Sequence, residues 1–167
     1  PGAASHWQHS PDGLVWTFHL RPEGKWSDGT PLTADDFVYS FRRVLSPALA
    51  SEYAYMLFPL ENAREYNSGQ LADPSALGAR ALDAHTLELT LAEPCPWFPA
   101  LVAHQAWFPV QRATIEKFGT TTQRGTRWTR PGNLVGNGPF TLREWRPHER
   151  IVVTRNPHRP AQLRTNS

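Results

Sequence analysis

Between Leu14 and Leu45 the hydrophobic pattern changes period, and each change carries a chemical marker. Trp16, Phe18 and Leu20 alternate with Val15, Thr17 and His19, so the more apolar set falls on one face of a half-buried strand. Asp12-Gly13 turns the chain into that strand and Arg21-Pro22-Glu23-Gly24 ends it, because proline cannot donate to a ladder and glycine tolerates turn geometry. Lys25-Trp26 offers a second short extended piece before the turn Ser27 to Pro31. Thr33 and Asp36 then form a capping-box pattern, with Asp in place of the usual Glu or Gln. It precedes apolar positions at Phe37, Val38, Phe41, Val44 and Leu45, which predicts a helix over 34–45.

Downstream the elements are shorter. Ser46-Pro47 breaks the helix, and Ala48 to Leu60 holds Tyr53, Tyr55, Met56, Leu57 and Phe58, too apolar for a solvated loop. Residues 60–68 have helical composition and stop at Gly69. Leu87, Leu89 and Leu91 alternate with Thr86, Glu88 and Thr90, which predicts a hairpin with 79–82 around Asp83-Ala84-His85 and one wet face. His85 is expected to be a turn residue whose side chain bonds nearby backbone. Pro94 to Ala103 opens with prolines suited to a first helical turn, and Gln111 to Phe118 reads as a helix closed by Gly119. Thr120 to Arg130 is polar and Arg-rich, the composition of a mobile loop. Asn133 to Pro139 carries glycines for tight turning, and a second hairpin follows over 140–145 and 150–154.

Composition narrows the functional classes. The 167 residues, with 11% aromatic and 19% charged side chains, describe a globular chain large enough for a core. The mean hydropathy of -0.50 and the lack of a long uncharged apolar run argue against a membrane-spanning helix. No positive n-region with an apolar h-region opens the chain. The single cysteine, Cys95, permits no internal disulfide and reads as a small buried hydrophobe. Residues 1–111 carry 12 acidic against 6 basic side chains, and 112–167 carry 3 against 11. That asymmetry allows an anionic partner such as nucleic acid as an alternative reading. Against it, Arg143, Arg146, Arg150 and Arg155 sit among strand positions as on a solvated sheet face, and no RNP, KH or zinc-finger pattern is present.

Chemistry is equally sparse. His6 and His9 have no companions at ligand spacing, so no metal site is expected. Asp35 and Asp36 could suggest a hydrolase, but adjacent carboxylates in a first turn point apart and suit capping and the helix dipole. No nucleophile elbow, P-loop or GxGxxG spacing appears. The expectation is a non-enzyme without a cofactor.

The string TFHLRPEGKWSDGTPLTADDFVYSFRRVLSP, continued by SEYAYML, LGARALDAHTLELTLAEPCPWFPAL, EKFG, GNLVGNGPFTLREW and ERIVVTRNP, resembles the extracellular solute-binding proteins of ABC importers for oligopeptides, dipeptides and nickel. The resemblance covers nearly the whole chain in order. It implies a mixed α/β, periplasmic-binding-protein-like fold of type II, with residues 1–107 as a smaller lobe and 108–167 as a crossing and partial larger-lobe segment. It also implies that the chain is a piece of a longer, two-lobed protein, with His158-Arg159-Pro160 where relatives carry an aromatic pair and the last ten or so residues outside the family pattern. The expected function is capture of a peptide or similar small solute between lobes by a monomer in the periplasm or outside the cell, membrane-associated in some relatives. Delivery to a membrane permease follows. The resemblance points to Tyr53, Trp107 and His104 as ligand-facing residues, with Trp107 narrowing the cleft or stacking on a ligand group; the alternative for Trp107 is a side chain that seals the lobe junction.

Overall fold

A computed structural model describes residues 2–159. The strand expected at the start of the chain forms over Val15–Leu20 (β2), and a strand not expected from the pattern, Ala4–His9 (β1), pairs with it antiparallel. Ala79–Asp83 (β3) and Thr86–Thr90 (β4) make the second hairpin. The two hairpins join through β2 and β4 into one antiparallel sheet of order β1-β2-β4-β3. Trp16 lies opposite Leu89 and Phe18 opposite Leu87, so the apolar sets of the central strands share one face. The opposite face is wetter and carries the stacked rings of His6 and His19, 4.3 Å apart.

The helix Ala34–Leu45 (α1) covers the apolar face with Phe37, Val38, Phe41 and Leu45. Its start is fixed from two sides. Asp36 Oδ2 accepts the Thr33 N–H at 2.8 Å and the indole N–H of Trp26 at 3.2 Å, while the Ala34 N–H donates to the Ala84 carbonyl in the β3–β4 turn. These contacts satisfy donors that a helix N-terminus otherwise leaves unmet. The β3–β4 turn works mainly through backbone: the His85 N–H donates to Asp83 Oδ1 at 2.7 Å and the His85 carbonyl accepts from Leu20. The His85 Nδ1, expected to bond backbone, is buried without a partner.

Shorter elements complete the fold. Helices Ala63–Ser68 (α2), Phe98–Leu101 (α3) and Arg112–Phe118 (α4) lie close to their expected places, each shorter at its N-terminal end. The shortfall at α2 has a cause: Leu60 bridges Leu91 and is held there as an extended residue. Strands Phe140–Arg146 (β5) and Arg150–Arg155 (β6) form a separate two-stranded sheet. Glu144 meets Arg146 on its own strand and Arg150 across the hairpin, which engages part of the basic charge seen in the sequence.

Residues beyond Phe108 are stitched to the first part of the chain. Ser40, 1% exposed, accepts the Val110 N–H at 2.8 Å and donates to the Asp36 carbonyl. Gln111 donates its amide to Asp28 Oδ2 at 2.8 Å, and the Ser27 N–H donates to the Gly136 carbonyl. The glycine-bearing segment 133–139 therefore closes onto the Ser27–Pro31 turn. Between residues 137–139 and the inner face of β1 lies a cavity of about 570 Å³ bordered by Trp7, Phe18, Phe41 and Trp107. Among the described residues no helix is long and apolar enough to cross a membrane.

Candidate functional site

Two short 3-10 turns, Ala54–Leu57 and Gln105–Trp107, pack against each other beside α1. Each is immediately preceded by an expected site residue. Tyr53 stands before the first and His104 before the second, so packing of the turns brings together side chains 51 positions apart in sequence. Their ring centroids are 5.8 Å apart at 43°. Apolar anchors do this positioning: Ala54 and Leu57 are buried beneath the first turn and Trp107 beneath the second.

The chemistry offered at this edge is polar and aromatic together. Tyr53 is 47% exposed, with a broad ring and a hydroxyl that both donates and accepts. The Nδ1 of His104 accepts the Ala106 N–H at 3.2 Å, which orients the ring; in the neutral tautomer the proton then sits on Nε2 as a donor. Tyr55, named in the sequence only as part of an apolar run, joins them with its ring 6.4 Å from that of Tyr53, and it is also exposed. Such a group can cover a flat ligand surface and hydrogen-bond peptide-type groups.

Trp107 lies further inward than Tyr53 and His104. It is 2% exposed, and its ring meets Phe41 and Phe98 edge to face, each centroid 5.3 Å away. Apolar neighbours on both sides draw so large a side chain inward, and edge-to-face pairing adds to that burial. Trp107 is thus a wedge under the His104 turn, and Tyr53 and His104 stand without it at the surface. The other chemical candidates are accounted for by their surroundings. Asp36 is engaged by Thr33 and Trp26, and Cys95 is buried, which pushes its thiol up.

A helix-covered antiparallel sheet with an exposed aromatic edge is, in this chain, part of the type II periplasmic-binding-protein fold. The chain belongs to the bacterial extracellular solute-binding proteins, family 5, whose "Middle" model matches residues 1–162; the match extends past His158, further than the divergent tail suggested. It is similar to the periplasmic oligopeptide-binding protein OppA of Escherichia coli K12, 48% identical over 159 residues that make up 94% of this chain and 28% of that protein. Among solved structures it resembles the Escherichia coli murein tripeptide-binding protein MppA, with a TM-score of 0.87 at 44% identity over 95% of this chain and 30% of that one. It also resembles Listeria monocytogenes OppA bound to peptide, with a TM-score of 0.86 at 32% identity over 97% of this chain and 31% of that one. The chain spans under a third of the length of these relatives.

Proposed function

We propose that this chain supplies one wall of a peptide-capturing cleft in a substrate-binding component of an ABC importer, and that it binds without performing chemistry. The observation that carries the proposal is the pairing of Tyr53 with His104 at an exposed edge. Residues 1–107 act as a smaller lobe, and 108–167 run across to a larger one. A peptide lying in extended form between the lobes presents the same backbone groups whatever its sequence, so a hydroxyl and an imidazole N–H serve many peptides. Trp107 acts from beneath by holding the His104 turn. The complete binding protein works as a monomer in the periplasm or outside the cell and passes its peptide to a membrane permease. Relatives named for oligopeptide and murein peptide binding support the solute class.

One wall leaves much of a ligand's surface wet, so this chain alone should bind weakly. Isothermal titration calorimetry with tri- and tetrapeptides is expected to give dissociation constants no tighter than roughly 0.1 mM, the range of modest, half-desolvated contacts. Submicromolar affinity for this chain alone would overturn the one-wall account. Tighter binding to an oligonucleotide, falling steeply with salt, would overturn the peptide reading.

A further inference from the structure

A second pocket lies beside Tyr53, between the last turn of α1 and the segment expected to be a mobile loop. Its volume is about 370 Å³. The segment is folded back onto the lobe: it contains the 3-10 turn Arg127–Thr129, and Arg124 Nη1 donates to the Ala50 carbonyl at 3.4 Å. Two guanidiniums line the pocket, Arg43 from the helix and Arg124 from the segment, and Glu52 is its one acidic lining residue.

Two polar groups here lack partners. Arg43 Nε and Thr126 Oγ1 are both buried without a hydrogen-bond partner, a state that leaves the desolvation cost of each group unmet. The ion pairs among the described residues involve neither Arg43 nor Arg124. The Arg43 guanidinium lies 5.8 Å from the Trp128 ring centroid, within cation–π range. Burial draws that guanidinium down from its ordinary value, with Tyr39 acting the other way, as expected for a cation partly removed from water. Two cations and one carboxylate leave a single net positive charge, which suits a monoanion better than a dianion. A planar carboxylate matches the guanidinium fork and has an oxygen to spare for the Thr126 hydroxyl.

We propose that the Arg43–Arg124–Thr126 pocket binds a small monoanionic carboxylate, arriving either as a free organic acid or as the C-terminal carboxylate of a peptide. This goes beyond the peptide-capturing edge at Tyr53 and His104 and does not rest on it.

The test is NMR of the guanidinium Nε–Hε resonances in the whole chain during titration with N-acetylglycine. Saturable shifts of Arg43 Nε are expected, with none from the uncharged N-acetylglycine methylamide. Arg124→Gln should weaken binding roughly five- to tenfold, the worth of one charge-assisted hydrogen bond. Arg124 is exposed, so the fold should survive the change; Arg43→Lys, which keeps the charge and loses the fork, should weaken binding further. A tripeptide free acid that shifts Arg43 more strongly than N-acetylglycine, while its C-terminal amide does not, assigns the source to peptides. Equal responses to the free acid and N-acetylglycine assign it to free acids. An intact fold with no saturable shift, an equal response to the methylamide, or tighter binding of inorganic phosphate would each overturn the proposal. If peptides leave Tyr53 and His104 undisturbed while N-acetylglycine still shifts Arg43, the pocket stands and the peptide-capturing reading falls.

Discussion

Replacing Gly78 with alanine is expected to destabilise this chain by about 3–5 kcal/mol, at the upper end of single-substitution effects. A Cβ there would stand 2.3 Å from the Thr90 carbonyl oxygen, 2.9 Å from Glu61 Cβ and 3.0 Å from Glu61 N. These neighbours cannot swing aside as a flexible side chain would. The Gly78 N–H donates to the Glu61 carbonyl at 3.0 Å, the Glu61 N–H to Thr90 at 2.9 Å and the Thr90 N–H to Gly78 at 2.9 Å. Three backbone segments are clasped in one ring, and a methyl group must open it. The end of β4, the bridge between Leu60 and Leu91 and the approach to α2 all lie on that ring. Since domains are stable by only about 5–15 kcal/mol, the variant should unfold at much lower urea concentration with an unchanged slope. An unaltered midpoint would show that the clasp yields without cost.

Asp36→Ala should have the next largest effect, about 2–4 kcal/mol, from loss of the cap together with unmet buried donors. A single oxygen, Oδ2, serves the Thr33 N–H, the Thr33 hydroxyl and the Trp26 indole N–H. Trp26 is 1% exposed, so its N–H has no easy access to water once the carboxylate is removed. Asp36→Asn keeps an acceptor oxygen and should cost about half as much. Asp35→Ala, at an exposed position in the same turn, should cost no more than about 0.5–1 kcal/mol from the helix dipole. Urea titration of the three variants checks the order, and equal losses at 35 and 36 would contradict the cap assignment.

Much of the central fold was legible because its causes are local. The alternation through Trp16, Phe18 and Leu20 and the Thr33–Asp36 cap each act within a few residues, and β2 and α1 form where those signals lie. β1 was hidden because ASHWQH has one large apolar side chain, Trp7, and its strand form depends on the partner β2. The need for glycine at position 78 was likewise invisible, since Glu61 and Thr90 create it from a distance.

The candidate site was readable only through resemblance. Nothing periodic links Tyr53 to His104, and two packed 3-10 turns make them neighbours. The surroundings of an aromatic side chain are not written in its own stretch of sequence; those of Trp107 come from the rings of Phe41 and Phe98. The basic C-terminal third also divides by context. Arg146 and Arg150 meet Glu144, whereas Arg124 borders a pocket with Arg43 from the other end of the chain.

The most direct test of the central claim is NMR mapping of the isotope-labelled chain with a tripeptide at millimolar concentration. The account predicts saturable shifts centred on Tyr53, Tyr55 and His104, with Trp107 indole changes secondary to them and the β5–β6 hairpin unaffected. Shifts confined to that hairpin, or to the cavity bordered by Trp7 and Phe18 with Tyr53 and His104 silent, would contradict it.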